Sequence, residues 1–523
     1  MGESPRYWSV RMRKVVQTVT LVAGALVVAA MGTALIAPAD AGRQASTTGA
    51  AQLLTRTDAA RQSTLRWAEC PGPGKGTLEC SSLEVPLDYG APDGRQIKIA
   101  LSRPVGSGKD RAKRRGVLLM NPGGPGLAGL NSPLPAATPL PLEVRETYEV
   151  IGFDPRGVGR SAPVTCGFAP QQVSQASNPR TPYNDADVAK QADTAEQLAE
   201  LCAASKTADL LPFMTTANTA RDMDRIREAL GEPAISYFGV SYGTYLGAVY
   251  ATLFPHRSDR FVLDSSLPPE GYDIEALRGQ GEGFEERFPD FGAFAAADPR
   301  RYRIGGTPAA VREKYFQLAR RLDTKPEQGY DGATFRGITA ALLRNDATFA
   351  PLAEIWHKLD TGQRLKDPGQ AADGGSGSNF AGSYLAVICA DNRWPQDVKT
   401  YQDNVDEDRV RYPMYGPYAA NIRPCAYWQA KPAEDRVKIS SDGPAARVLL
   451  LQNLRDPATP LAGAKRMREA LGDRARMVTV DQGGHGAYLF GANKCGNDAV
   501  TDYLTTGRMP EQDTHCPASP STR

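Results

Sequence analysis

An apolar run, Ala234–Phe238, leads directly into Gly239-Val240-Ser241-Tyr242-Gly243 and then into the helix-forming stretch Thr244–Leu253. A strand that turns into a helix within five residues requires a sheet with that helix packed back on it. The flanking glycines let the backbone bend tightly enough to raise the Ser241 hydroxyl above the sheet edge, as a nucleophile elbow does. A tight turn whose serine only caps the helix is the competing reading. The rest of the chain suits the demanding one. Strands are expected at Leu83–Leu87 and Ile97–Ser102, joined by a turn over Tyr89–Gly94, and at Gly116–Met120 and Tyr148–Phe153. A helix is expected over Thr215–Leu230, where Ala217, Ala220, Met223, Ile226 and Leu230 recur at helical spacing before Gly231 and Pro233. Further strands are read at Arg260–Asp264, Arg447–Gln452 and, as the last, Met477–Val480.

Between Pro268 and roughly Pro444 the period is helical, for instance over Pro308–Leu322 and Phe335–Leu343, with a Gly/Ser-rich loop at Asp373–Ser378. The ordering fits an α/β core, residues 66–268 and 445–523, with a mainly helical cap inserted over 269–444. The 523 residues are thereby one domain with an insertion.

The N-terminus reads as an export signal over residues 1–41. Arg6, Arg11, Arg13 and Lys14 precede an apolar stretch from Val15 to Ala37, and Ala39-Asp40-Ala41 offers a small-x-small cleavage site. An uncleaved N-terminal membrane anchor at the cell surface is the alternative, because the stretch approaches the roughly 20 residues needed to span. Residues 42–65 read as a flexible arm or short propeptide. Lys+Arg 61 against Asp+Glu 59 leaves no basic excess, which argues against a nucleic-acid partner. No membrane association is expected after signal removal, and a monomer is expected. Export makes the eight cysteines candidates for disulfides. They fall in neighbouring couples, Cys70 with Cys80, Cys166 with Cys202, Cys389 with Cys425 and Cys495 with Cys516. Short loops close with the least entropy, so nearest-neighbour pairing is the simplest connectivity. No C-x-x-C occurs, and neither a metal nor a cofactor is expected.

A serine hydroxyl needs an adjacent base. The chain has four histidines, so the search is short. His485 stands in Asp481-Gln482-Gly483-Gly484-His485-Gly486, after the last expected strand, on a loop that brings imidazole to the strand ends. His357 lies within a helical pattern, His256 follows Phe254-Pro255 at a helix end, and His515 adjoins Cys516 in the tail. The acid that orients the base should come between serine and histidine in the chain. Asp456, past Arg447–Gln452, is the candidate, with Asp264 as rival; Asp154 is expected to fix its own loop with Arg156. Attack on a carbonyl creates an oxyanion that preorganised N–H donors stabilise. One donor would be the backbone of Tyr242; the other would come from Asn121-Pro122-Gly123-Gly124-Pro125-Gly126, most plausibly Gly124. Gly124–Gly129 also matches G-x-G-x-x-G, with Glu149 following, but prolines stand where a dinucleotide-binding helix should start.

At these residues the chain resembles the secreted tripeptidyl aminopeptidases of actinomycetes, in the prolyl aminopeptidase branch of the α/β-hydrolases. The likeness spans about Trp67 to Cys516. It rests on the glycine-rich segment just quoted, on Gly152-Phe153-Asp154-Pro155-Arg156-Gly157-Val158-Gly159, on Gly239–Gly247, on Asp456-Pro457-Ala458-Thr459-Pro460 and on Gly484-His485-Gly486. Prolyl aminopeptidases usually carry histidine before the paired glycines; Asn121-Pro122 stands there here. The resemblance implies an exopeptidase that releases tripeptides from free N-termini of peptides and proteins through an acyl-enzyme on Ser241, His485 and Asp456. It also implies cap acids that receive the substrate's ammonium group, and Glu285 and Asp391 match that pattern. Alternatives are a prolyl aminopeptidase-like peptidase, a secreted esterase or lipase using the same triad, and a non-catalytic surface protein retaining the fold.

Overall fold

The computed structural model describes residues 65–72, 75–107, 114–365, 376–442 and 447–519. The expected leader and nearly all of the expected arm lie outside the described residues. Among those described, one sheet holds β1 (Ala68–Glu69), β2 (Leu78–Pro86), β3 (Gln96–Pro104), β4 (Gly116–Asn121), β5 (Tyr148–Phe153), β6 (Ile235–Ser241), β7 (Ser258–Ser266), β8 (Arg447–Arg455), β9 (Ala475–Gly483) and β10 (Thr514–Cys516). Their order is β1-β2-β3-β5-β4-β6-β7-β8-β9-β10. The hairpin β2–β3, with Val85 opposite Ile97, and its junction with β5 are antiparallel. From β5 to β10 every pairing is parallel.

The central strands are buried along their whole length, β5 and β6 without an exposed position. A parallel strand covered by helices on both faces has no polar side to present, which is why these segments read as apolar runs. The helices include α1 (Asp185–Ala203), α2 (Thr216–Leu230), α3 (Tyr242–Leu253), α4 (Ile274–Ala297), α5 (Pro308–Thr324), α6 (Gly332–Leu342), α7 (Phe349–Thr361), α8 (Ser376–Asp391), α9 (Val398–Arg411), α10 (Leu461–Leu471) and α11 (Lys494–Thr506). α2 starts where the Thr215 side chain accepts the Asn218 N–H and stops at Gly231, whose φ of 75° suits a left-handed cap.

Between β7 and β8 the described residues contain helices and no strand of the sheet. α4 to α7 enclose a core of their own around the fully buried Trp356, with Phe284, Phe288, Phe291, Tyr315 and Phe335. The later part of the segment belongs to the sheet's core instead: Leu385, Ile388 and Trp394 pack with the strands. The structure pairs Cys70 with Cys80, Cys166 with Cys202, Cys389 with Cys425 and Cys495 with Cys516. Among the described residues no helix is long and apolar enough to cross a membrane.

Three local expectations change. The Gly/Ser-rich loop is shorter than read, because Ser376, Gly377 and Ser378 already form the first turn of α8. Met477–Val480 is not in the last strand: Thr514–Cys516 adds β10 parallel to β9, where Cys516 is covalently tied to α11. Three residues with a single buried position carry too little alternation to announce a strand. Arg156 does not pair with Asp154; both atoms of its guanidinium fork bind Asp222, at 2.7 and 2.6 Å, in the fully buried interior.

Candidate active site

In an open parallel sheet, ligands bind beyond the carboxyl ends of the strands, where the winding reverses. Here β5 lies on one side of β4 and β6 on the other, so the reversal falls at the ends of β4 and β6. Those ends carry Asn121 and Ser241.

Ser241 occupies φ 60° and ψ −131°, a conformation that costs an ordinary residue on the order of 1–3 kcal/mol. The surroundings hold it there. Thr244 Oγ1 donates to the Ser241 carbonyl at 2.6 Å, and Tyr237 Oη donates to the Gly243 carbonyl at 2.5 Å. The Ser241 side chain makes no capping bond to α3. The Tyr272 hydroxyl faces it, and burial pushes the Tyr272 titration up to about 12. The Tyr242 N–H follows at the start of α3, where the helix dipole favours negative charge. Gly123 abuts this turn: at φ 81° a Cβ there would lie 2.7 Å from the Val240 carbonyl and 3.4 Å from the Tyr242 nitrogen. Only glycine permits so close an approach. The Gly123 N–H donates to Asn121 Oδ1 at 2.8 Å, and Asp154 accepts from the N–H groups of Gly129 and Arg160, both at 2.8 Å. Asp154 thus fixes its own loop through the Arg160 N–H and not Arg156, and ties it to the glycine-rich loop through the Gly129 N–H.

His485 is 5% exposed. Its Nδ1 lies 2.9 Å from Asp456 Oδ2 and 3.0 Å from Oδ1, while its Nε2 is buried without a hydrogen-bond partner among the described residues. The His485 N–H donates to the Arg344 carbonyl at 2.8 Å, so the cap helps to set the base. Asp456 also accepts from the N–H groups of Ala458 (2.8 Å) and Thr459 (3.0 Å) and from the Thr459 hydroxyl (2.9 Å). Burial alone would raise its titration. The His485 charge and these donors outweigh burial and hold the carboxyl below its ordinary range. α4 covers this loop at Gly283, where a Cβ would stand 2.8 Å from the Asp456 carbonyl.

The rival acid does other work. Asp264 accepts the N–H groups of Ala487 (2.8 Å) and Tyr488 (2.9 Å), bracing the turn after His485, and burial pushes its titration up to about 7. The other three histidines lie elsewhere: His256 in a short turn after α3, His357 within α7, and His515 on β10 against Thr479.

Both cap acids are engaged with protein donors. Glu285 binds the Arg312 guanidinium and the Met414 N–H, each at 3.0 Å. Asp391 is 8% exposed and accepts the N–H (2.8 Å) and hydroxyl (2.5 Å) of Thr216, which in turn meets the Tyr242 hydroxyl at 2.5 Å. Among the described residues a cavity of about 10 Å³, room for one water, adjoins Asp391. An ammonium group would have to share or displace these partners.

Burial pushes the Asp391 titration up to about 7. The folded chain therefore holds this proton through a range where an unfolded carboxyl has lost it. The associated stability is fully present below about pH 4 and is lost as pH rises through about 7. Asp391→Asn keeps an acceptor for the Thr216 N–H and a donor for its hydroxyl. Its stability relative to the parent, measured by denaturant unfolding, is expected to improve between pH 5 and pH 8 by on the order of 2 kcal/mol. A difference that does not vary with pH would refute that account.

Nothing in the sequence marks Tyr272 or Arg344. Tyr272 stands in Pro268-Pro269-Glu270-Gly271-Tyr272, a loop with no periodic or motif signal, and reaches Ser241 only because the chain folds back after β7.

A family model described as TAP-like protein matches residues 412–516. The chain is 36% identical over 473 residues to the tripeptidyl aminopeptidase of Streptomyces lividans, covering 86% of each chain. It is 30% identical over 468 residues to the serine protease Hip1 of Mycobacterium tuberculosis, covering 84% of this chain and 88% of that one. It is also 31% identical over 464 residues to a carboxylesterase B of the same organism, covering 84% and 86%.

Proposed function

Since the chain belongs to the tripeptidyl aminopeptidase-like family of α/β-hydrolases and is a serine peptidase, we propose that it is an exported exopeptidase releasing tripeptides from free N-termini. The observation that carries the reading is the His485–Asp456 pair, whose outer imidazole nitrogen has no hydrogen-bond partner among the described residues, together with a serine held in a strained elbow. The proposed site residues are Ser241 as nucleophile, His485 as base, Asp456 as its orienting acid, and the backbone N–H groups of Tyr242 and Gly124 as oxyanion donors. Asn121 already takes the Gly123 N–H, which favours Gly124 as the loop's donor.

In this reading Ser241 Oγ attacks the third peptide carbonyl as its proton passes to His485 Nε2, and the carbonyl electrons move onto oxygen. The two N–H groups hold that oxyanion, and Asp456, ionised, stabilises the imidazolium. His485 then gives its proton to the leaving amine as the C–N bond breaks, leaving a tripeptidyl ester on Ser241. Water, deprotonated by His485, cleaves the ester and frees the tripeptide. A cap carboxylate, Glu285 or Asp391, is proposed to receive the substrate ammonium in place of its present donors. Four disulfides support an oxidising compartment, and the leader read over 1–41 supports export into it.

The likeness to a carboxylesterase favours one second reading, an esterase on the same residues. Mass spectrometry of products from one peptide, offered with a free and with an acetylated N-terminus, tests both. Tripeptides are expected from the free form only. Cleavage of the blocked form, release of single residues, or hydrolysis of esters with peptides left intact would each overturn the proposal.

A further inference from the structure

Buried arginines in this chain are matched by acids or, like Arg260 and Arg474, donate to main-chain carbonyls. Arg156 is paired with Asp222, Arg287 with Asp290 and Asp346, and Arg336 with Asp323. Two arginines beside the reaction centre depart from this pattern. Arg344 follows α6, and its carbonyl holds the His485 N–H, so it adjoins the base. The residue is half-buried, forms no ion pair among the described residues, and its charge reaches the phenols of Tyr272, Tyr384, Tyr415 and Tyr418. The first of these is the tyrosine that faces Ser241.

Arg423 comes from the segment that the Cys389–Cys425 bond ties to α8. It is 4% exposed, and its Nε has no hydrogen-bond partner among the described residues. Its guanidinium carbon stands 5.8 Å from the centre of the Tyr418 ring, and its charge reaches Tyr384 and Tyr415 as well. Both arginines are therefore within electrostatic range of the same three phenols. α8, which carries Tyr384, packs against the glycine-rich loop: a Cβ on Gly126 would lie 3.0 Å from the Tyr384 nitrogen. Tyr384 also meets Tyr272 at 6.4 Å between ring centres. The place thus adjoins the base on one side and the oxyanion loop on the other.

A buried cation without a counter-charge is costly, by several kcal/mol per ion. Burial keeps the surrounding phenols neutral, so they supply dipoles and ring faces but no negative charge. The planar guanidinium fork matches a carboxylate in geometry and sign. We propose that Arg344 and Arg423 form a substrate-carboxylate site in the cap, so that the enzyme prefers peptides carrying an acidic group close to the scissile bond. The proposal rests on the peptidase reading for the identity of the substrate. The carboxylate has two possible sources, an acidic side chain within the first four residues or the free C-terminus of a tetrapeptide.

The test is a series of alanine tetrapeptides with Glu or its neutral match Gln at each position in turn, plus the all-alanine peptide as free acid and as C-terminal amide. At the favoured position the Glu peptide, or the free acid against the amide, is expected to show kcat/KM at least tenfold higher. The position identifies the source. Arg344→Met and Arg423→Met should bring that ratio toward one, chiefly through KM. Should Arg423→Met not fold, the half-buried Arg344 decides alone. Ratios near one throughout the series, or a high ratio unchanged by Arg344→Met, would overturn the proposal. If the protein proves to be an esterase, the comparison of acidic with neutral acyl esters still reads the site, so the two claims fail separately.

Discussion

Replacing Ser241 with alanine is expected to lower kcat by about 10⁶-fold, and replacing His485 with alanine by a similar factor. The double variant should be no worse than either single one. In the proposed mechanism the hydroxyl ionises only by passing its proton to the His485 Nε2, a nitrogen with no hydrogen-bond partner among the described residues. What survives is the contribution of substrate binding and of the oxyanion donors. A covalent serine probe should label the parent protein and leave Ser241→Ala untouched. Equal labelling of both, or a loss below about a hundredfold, would remove Ser241 as nucleophile. Stability supplies an independent reading of the same residue. Alanine at φ 60° keeps the strain and glycine relieves it, so Ser241→Gly should be as inactive as Ser241→Ala but more stable by about 1 kcal/mol. A turn that existed only to cap a helix would show neither the inactivity nor the gain.

The strands and their order of appearance were legible because each buried parallel strand is an apolar run bounded by turn residues. β5 is read at its observed limits, and β4, β6, β7, β8 and β9 differ only at their ends. The elbow was legible because its chemistry is local, five residues between a strand and a helix. What could not be read is what depends on segments far apart in the chain meeting in the fold. Tyr272 meets Ser241 across 31 positions of sequence, Arg344 meets His485 across 141, and Arg156 finds Asp222 across 66. None of these pairings leaves a period or a motif. Asp456 and Asp264 show the intermediate case. Both stand at or near the end of a strand and both lie between serine and histidine, so chain order admits either. The difference is one of register: β7 delivers Asp264 beneath the turn that follows His485, whereas the loop leaving β8 turns Asp456 up against the imidazole itself.

That difference predicts opposite consequences for two substitutions that look alike. Asp456→Asn is expected to lower kcat by about 10⁴-fold, because an amide holds the imidazole in the wrong tautomer and cannot stabilise the imidazolium. Asp264→Asn removes an acceptor from the Ala487 and Tyr488 N–H groups without touching the ring. It should act mainly on stability, by about 1–3 kcal/mol, with a rate loss at least a hundredfold smaller than that of Asp456→Asn. Electrostatics favours the same assignment. Asp456 is held below the ordinary carboxylate range and stays charged wherever the base is active, so the stability tied to its charge is lost only as pH falls below about 4. Asp264, pushed up to about 7, would be half protonated at neutral pH and offer the imidazolium only part of a charge. Rates measured at saturating substrate, alongside denaturant unfolding of each variant, separate the two effects. If Asp264→Asn proved the slower enzyme while Asp456→Asn kept its rate, the acid would have to be reassigned to the end of β7.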